Sequence, residues 1–164
     1  MRLEKVAVRI SRDLGQVVFV GAFAVRCHIG PYRNTQDIDI ALASPVTDVR
    51  LRELGYVITN ERGKKTIRTK EGFKVDIYMK DVSGLSIHDV FETAVVKQIG
   101  CESVRVMGLE ALLLSKLRAN RSQDIQDIRI VCQRLKKKIR WELIDRLGKP
   151  TESAQLRIIV KALG

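Results

Sequence analysis

The stretch RNTQDIDIAL, residues 33–42, places two aspartates one residue apart between isoleucines. This alternation with a period of two predicts a β-strand, on which Asp37 and Asp39 share one face while Ile38 and Ile40 share the other. Two carboxylates this close repel each other unless a cation lies between them. The stretch therefore indicates either the solvated face of a strand or a cation site.

A second segment, FKVDIYMK at residues 73–80, has the same alternation and places Asp76 on the face opposite its apolar residues. If the two strands are neighbours in one sheet, Asp76 joins Asp37 and Asp39. Three carboxylates supply the hard oxygen ligands that Mg²⁺ prefers. Two such ions can hold the phosphates of a nucleotide and stabilise the attacking and leaving oxygens of a phosphoryl transfer.

Upstream, the segment Val20-Gly21-Ala22-Phe23 joins an apolar strand, residues 16–20, to a predicted helix, residues 22–29. The free backbone N–H groups and the dipole at a helix N-terminus favour a phosphate group. A strand, a glycine and a helix are weak evidence alone. They become more specific when two aspartates follow about fifteen residues later, because phosphate and cation sites then lie together.

The remaining pattern predicts an α/β (α+β) fold with a mixed β-sheet flanked by helices and a C-terminal helical segment. Residues 1–107 form the predicted sheet core, and residues 108–164 pack on it as helices in one compact unit. Turns at Gly63 and Gly72 join antiparallel strands. The other predicted strands are 56–60, 66–70, 95–100 and 103–108, and the other predicted helices are 2–14, 46–54, 86–94 and 109–119. A further helix is predicted to begin at Asn120, with Gln123 as its capping-box partner. Two more helices follow, and the last is predicted to begin at Thr151.

The composition of the 164 residues, 45% hydrophobic and 30% charged, is typical of a folded globular protein. No apolar run approaches the roughly 20 residues that span a membrane, so we expect a cytoplasmic protein without a membrane partner. Three separated cysteines and two isolated histidines argue against disulfides and zinc. The net charge of +11 favours a polyanionic partner.

The motifs occur in an order that resembles the nucleotidyltransferase superfamily of DNA polymerase beta. They are most similar to the AbiEii-type, toxin-related nucleotidyltransferases and their small uncharacterised relatives. The resemblance covers roughly residues 16–135. Its elements here are Gly21-Ala22-Phe23-Ala24, Arg33-Asn34-Thr35-Gln36-Asp37-Ile38-Asp39, the later Asp76, and LLLSKLRANRSQDIQDI at residues 112–128.

The resemblance implies roles for ten residues. Asp37, Asp39 and Asp76 would hold two Mg²⁺ ions, and Asp76 is also a candidate base for the attacking hydroxyl. The remaining seven would bind the NTP. The backbone at Gly21 and Ala22 would bind the triphosphate, and Arg33 and Thr35 would support the loop or contact a phosphate. Lys116 would neutralise the phosphate charge, and Asp124 and Asp127 would orient Lys116 or contact substrate.

Two features of the sequence oppose these roles. Ala22 stands where the family has Gly or Ser, so triphosphate binding is expected to be weaker or lost. By the local pattern alone, Lys116 is a surface lysine on a leucine-rich helix, and Asp124 and Asp127 are acids that complement a helix dipole.

The resemblance implies a Mg²⁺-dependent enzyme that moves a nucleoside monophosphate from an NTP to a hydroxyl group, with RNA, tRNA or protein as acceptor. The alternative is a catalytically inactive module of the same fold that binds nucleic acid or a protein partner, as in a toxin–antitoxin system.

Overall fold

The structure is a computed structural model that describes residues 2–164. Its described residues form a seven-stranded mixed sheet in the order β3-β4-β5-β2-β1-β9-β8, and a separate two-stranded hairpin of β6 and β7. The strands are β1 (Val17–Val20), β2 (Asp37–Leu42), β3 (Val57–Glu61), β4 (Lys64–Arg68), β5 (Lys74–Tyr78), β6 (Asp81–Val82), β7 (Leu85–Ser86), β8 (Val95–Ile99) and β9 (Glu102–Val106).

The centre of the sheet changes direction at β2. This strand pairs antiparallel with β1, so that Val20 is the partner of Asp39, and parallel with β5, so that Asp39 is the partner of Asp76. On the outer side, β4 pairs antiparallel with both β5 and β3, as the turns at Gly63 and Gly72 predict. The two aspartate-bearing strands are therefore neighbours, which the sequence left as a condition.

Eight α-helices flank the sheet within residues 2–164. They are α1 (Arg2–Leu14), α2 (Gly21–Ile29), α3 (Asp48–Glu53), α4 (Ile87–Glu92), α5 (Leu109–Ala119), α6 (Ser122–Leu135), α7 (Trp141–Leu147) and α8 (Pro150–Ala162). None of these described helices combines the length and the apolar character that crossing a membrane requires.

The hydrophobic core joins the sheet to the helices on it. Strand β1 is buried at all four positions, because it lies between β2 and β9 and is covered by helices. Phe19 packs edge-to-face on Phe23 of α2, with ring centroids 5.0 Å apart. Helix α5 is buried continuously from Leu109 to Lys116 and contacts α2, α6 and α7. The position of α5 brings its C-terminal turn next to the start of α2.

The mixed α/β fold class is confirmed, and most predicted elements lie within two residues of the observed ones. The division of the chain at residue 107 stays a prediction. The predicted end of α5 at residue 119 is confirmed, with Asn120 as its C-cap in a left-handed conformation (φ 53°). The predicted capping of α6 by Asn120 and Gln123 is wrong, because Arg121 is the N-cap and Asp124 accepts its backbone N–H. The last helix begins at Pro150, not at Thr151. The hairpin of β6 and β7 was not predicted, because strands of two residues have no readable alternation.

Candidate active site

Three carboxylates lie on one face of the central strands. Asp39 and Asp76 are register partners on β2 and β5, and Asp37 lies two residues before Asp39 on the same face. All three line a cleft of about 460 Å³. The other residues that line this cleft come from the hairpin of β3 and β4, from β5 and from the start of α6: Glu61, Arg62, Lys64, Lys74, Tyr78 and Arg121. The structure therefore brings together the three aspartates that the sequence singled out.

The electrostatic state of Asp39 reflects this crowding. Burial, together with the charges of Asp76 and Asp37, raises the pKa of Asp39 to about 6, although the charges of Lys116 and Arg121 oppose the rise. A carboxylate with this pKa is only weakly stabilised in its ionised form. A divalent cation would remove the repulsion, and oxygen ligands of this kind suit one.

Asp76 is held in place by neighbours that sequence reasoning missed. The hydroxyl of Thr66, a buried residue of β4, donates a hydrogen bond of 3.0 Å to Oδ1 of Asp76. The ammonium of Lys74 lies 3.7 Å from the same oxygen. Both contacts fix one oxygen of Asp76, which leaves Oδ2 for a cation or a proton. Thr66 could have been found only from the register of β4 and β5, which pairs it with Asp76.

A second group of possible metal ligands within residues 2–164 lies on α4. The ligand atoms of His88, Asp89 and Glu92 on α4 all lie within 4.8 Å of one another. Glu92 already accepts from His88 at 3.3 Å and from Arg146 at 3.1 Å, and His88 is highly exposed. The three aspartates in the cleft supply only carboxylate oxygens, and the repulsion at Asp39 favours a divalent cation there.

Gly21 places the N-terminus of α2 against the carboxylates. It has φ +60°, and a Cβ atom at this position would lie 2.5 Å from Oδ2 of Asp39. The N-cap Val20 offers no side-chain hydrogen bond, so the first N–H groups of this nine-residue helix lack a side-chain cap. Gly21 and Ala22 line a second cavity of about 220 Å³, which has both a helix N-terminus and cationic side chains in its wall.

The predicted phosphate-binding residues lie around this second cavity. Arg33, Thr35, Lys116 and Asp124 line it together with Asp37 and Asp39. Thr35 is partly buried, and its hydroxyl donates to the backbone oxygen of Asp37 at 3.2 Å, which supports the entry into β2. Asp127 does not line the cavity, but it forms ion pairs with Arg33 and Lys116, which do.

A buried ionic network forms the floor of this cavity. Nζ of Lys116 lies 3.1 Å from Asp124 and 2.7 Å from Asp127. The side chains of Lys116, Asp124 and Asp127 are 7%, 1% and 0% exposed, so the expectation of a surface lysine at position 116 is wrong. They are buried because α5 and α6 pack against each other and against α2. Arg33 and Arg121 extend the network to the surface, at 3.1 Å from Asp127 and 2.7 Å from Asp124.

The pKa values in the network follow from burial and pairing. Burial lowers the pKa of Lys116, although the hydrogen bond to Asp124 opposes the change. Burial works against ionisation of Asp124, but hydrogen bonds from Arg121 and Lys116 lower its pKa overall. Burial raises the pKa of Asp127 to about 6. Within the network three cations face two carboxylates, but Asp37 and Asp39 also line the cavity, so its wall has no excess positive charge. An anionic ligand beside Gly21 would therefore need a cation on these two aspartates.

The sequence matches, over residues 2–159, the family described as "Nucleotidyltransferase of unknown function (DUF6036)". The chain belongs to this family. The resemblance to nucleotidyltransferases is thereby confirmed, and transfer of a nucleoside monophosphate is the general chemistry that the DUF6036 family and fold support. The AbiEii-type subgroup stays a prediction. No curated protein sequence matches the chain.

Solved structures share the fold along almost the whole length of this DUF6036 chain. JHP933 from Helicobacter pylori has 12% sequence identity and a TM-score of 0.57, with 99% of this chain and 89% of that one covered. The antibiotic-resistance factor ANT(2'')-Ia has 16% identity and a TM-score of 0.56, with 99% and 92% covered. An antigenic nucleotidyltransferase-like protein from Paracoccidioides brasiliensis has 18% identity and a TM-score of 0.54, with 98% and 86% covered.

Proposed function

We propose that this protein is a Mg²⁺-dependent nucleotidyltransferase that moves a nucleoside monophosphate from an NTP to a hydroxyl group of an acceptor. The observation that carries the proposal is the contact between two parts of the site. Gly21, at the uncapped start of α2, lies against the carboxylate of Asp39, which is itself the register partner of Asp76. The proposed phosphate site and the proposed cation site are thus adjacent, as transfer from a metal-bound NTP would require.

Asp37, Asp39 and Asp76 would hold the divalent cations, expected to be two Mg²⁺ ions, which when bound neutralise charge on the transferred phosphoryl group. In the reaction, the acceptor oxygen forms a bond with the α-phosphorus while the bond from that phosphorus to the β-phosphate oxygen breaks. Pyrophosphate leaves. Oδ2 of Asp76 has one of two roles: it is a ligand of the second cation, or it takes the hydroxyl proton while Asp37 and Asp39 hold the cations.

The triphosphate would lie in the cavity of about 220 Å³. The N–H groups at Gly21 and Ala22 donate to its oxygens, and Arg33 and Lys116 balance its charge. Thr35 supports the loop before β2. Asp124 and Asp127 position Lys116, because they bind its ammonium at 3.1 and 2.7 Å.

The acceptor would enter through the cleft of about 460 Å³ on the other side of the carboxylates, because the attacking oxygen must approach opposite the leaving pyrophosphate. RNA or tRNA fits the net charge of +11, and a hydroxyl of a cognate protein is the other acceptor class. ANT(2'')-Ia, whose fold is similar, has been seen with adenylyl-2''-tobramycin, so a fold of this kind accommodates an adenylylated acceptor. A cytoplasmic location would supply both NTP and RNA.

One observation favours a second candidate, an inactive module that binds nucleic acid or a protein partner. Ala22 offers no hydroxyl to a phosphate, and two carboxylates already bind Lys116. Such a module would need neither NTP nor Mg²⁺ to bind its partner. Metal-dependent NTP binding therefore separates the two candidates.

The experiment is a thermal-shift titration with each of the four NTPs, with and without Mg²⁺. We expect one or more NTPs to raise the melting temperature of the wild type only with Mg²⁺. The double variant Asp37→Asn/Asp39→Asn should lose the response. Glu92→Gln, which removes a carboxylate from the acidic group on α4, should keep it. A folded wild type that no NTP stabilises would instead favour the inactive module.

A further inference from the structure

Arg121 occupies the junction of the cavities around the carboxylates. It lines the cleft of about 460 Å³, the cavity of about 220 Å³ and a third one of about 60 Å³ that lies beside Ser83 and Ser115. Asp39 also lines all three. Arg121 thus faces both the expected triphosphate side and the expected acceptor side of the site.

The position of Arg121 is fixed by the backbone and by Asp124. Asn120, in its left-handed conformation, ends α5, and Arg121 follows directly as the N-cap of α6. Its backbone N–H donates to Asp124 at 3.2 Å, and its Nε and Nη2 donate at 2.7 and 3.3 Å. One edge of the guanidinium is therefore anchored on a buried carboxylate.

The other edge of the guanidinium is available to a ligand. The side chain of Arg121 is 77% exposed, and its Nη1 makes no hydrogen bond to any residue of the described part of the chain. The charge of Arg121 acts on the reacting centre even without a ligand, because it opposes the rise that burial causes in the pKa values of Asp39 and Tyr78. An anchored arginine with a free edge is suited to phosphate oxygens, which accept the planar fork of N–H donors.

We propose that Arg121 is a further substrate-binding residue, which donates hydrogen bonds from its free edge to the phosphates of the bound NTP while Asp124 holds its other edge. The inference rests on the proposed nucleotidyltransferase function and adds a residue to it. Asp124 thereby positions two cations, Lys116 from inside and Arg121 at the surface. Because Arg121 lies between the two larger cavities, its ligand is the phosphate group nearest the carboxylates.

The chain contains a matched control at another helix start. Arg140 is the N-cap of α7, and it donates to the buried carboxylate of Glu110 from the same three groups, its backbone N–H, Nε and Nη2, at 2.8, 3.4 and 3.5 Å. Arg140 is 63% exposed and Glu110 3%. Arg140 is not among the residues that line the three site cavities. A purely structural arginine would behave alike at both positions.

The test is isothermal titration calorimetry with two probes, ATP and inorganic tripolyphosphate, both with Mg²⁺. We expect Arg121→Ala to weaken the affinity for both probes by about tenfold to a hundredfold, the value of a charge-assisted hydrogen bond or two. Arg121→Lys should recover part of the loss, because it restores the charge without the fork. Arg140→Ala should change the affinity by less than about twofold, although the loss of this helix cap should lower the melting temperature of the variant.

Two results would overturn the inference in distinguishable ways. If the wild type and Arg121→Ala bind both probes equally, while Asp37→Asn/Asp39→Asn does not bind ATP, Arg121 is only a helix cap and the proposed function stands. If the folded wild type binds neither probe, both proposals fall together. Should Arg121→Ala not fold, Arg121→Gln takes its place, since its amide can still donate to Asp124 without the charge, and the same comparisons apply.

Discussion

Asp39 of β2 and Asp76 of β5 are register partners on adjacent parallel strands, and the N-terminal residue of α2, Gly21, lies against the first of them. Two carboxylates that are paired across adjacent strands repel each other when both are ionised, and this repulsion lowers the stability of the folded protein. The protein keeps them together although nothing in the hydrophobic core requires a carboxylate at either position. This arrangement is understandable if the repulsion is relieved by a ligand, and it leads to the first prediction.

Asp39→Asn should stabilise the protein without metal at about pH 7.5 by roughly 2–3 kcal/mol. The pKa of Asp39 is about 6 in the folded state, against 3.8 as its ordinary value. Between these values the folded protein holds a proton that the unfolded chain has lost, so the free energy of unfolding falls as pH rises. Asparagine removes this penalty. Urea unfolding should therefore show the gain at about pH 7.5 and almost none at about pH 3.5; an equal gain at both would contradict the assignment.

Thr66→Val should weaken Mg²⁺-dependent NTP binding by about tenfold or more, because the hydrogen bond that orients Oδ1 of Asp76 is lost. The side chain keeps its shape, so the fold should survive. Thr69→Val is the control: Thr69 is also buried and accepts a hydrogen bond from the backbone of Phe73, outside the site. A titration of each variant with NTP and Mg²⁺ should show the loss of affinity for Thr66→Val and not for Thr69→Val. Equal losses of affinity would mean that Thr66 acts through stability alone.

Gly21→Ala should abolish Mg²⁺-dependent NTP binding and also destabilise the fold. Its Cβ would lie 2.5 Å from Oδ2 of Asp39, which forces that carboxylate away. Gly15→Ala is a matched control, because Gly15 also has a positive φ, +76°, but has no atom within 4 Å of the added Cβ. Both variants should lose about 1–2 kcal/mol of stability through backbone strain. Only Gly21→Ala should lose the nucleotide response in a thermal-shift assay.

Lys116→Met should cost about 3–5 kcal/mol of unfolding free energy, since it leaves Asp124 and Asp127 buried without the ammonium between them. Asp127→Asn in the same chain should recover part of this loss. Lys137→Met, at an exposed position, should change stability little. Denaturant unfolding of the two single variants and the double variant gives the coupling energy, and a value near zero would argue against the network.

Ala22→Ser should strengthen triphosphate binding by about threefold to tenfold, as expected for one added hydrogen bond. The hydroxyl would enter the wall of the cavity of about 220 Å³ at the start of α2. Ala154→Ser, on an exposed part of α8, should leave the affinity unchanged. Calorimetry with tripolyphosphate measures both; no gain for Ala22→Ser would place the phosphates away from the second residue of α2.

The sequence was sufficient for the side chains whose place follows from local alternation. Asp37, Asp39 and Asp76 were located because each lies on an amphipathic strand with a readable period. Their convergence was not readable, since the parallel pairing of β2 with β5 joins segments more than thirty residues apart. Sequence pattern identified the strands, and only the topology made them neighbours.

The residues that sequence reasoning missed act through contacts between elements. Thr66 reaches Asp76 across β4 and β5, and Lys64 lies 4.7 Å above the ring of Tyr78. The burial of Lys116 could not be predicted either, because a lysine on a helix is normally solvated. It follows from the packing of α5 against α6, a property of the tertiary structure.

The order of the strands has a dynamic consequence for substrate binding. Strands at the centre of a sheet open least in hydrogen exchange, whereas turns and edges open at low free-energy cost. The carboxylates of Asp39 and Asp76 lie on central strands, while Arg62 and Lys64 belong to the hairpin of β3 and β4, of which β3 is the edge strand. We therefore expect one wall of the large cleft to open more readily than the other. Under the proposed function, local opening of the hairpin would admit an acceptor while the carboxylates keep their positions.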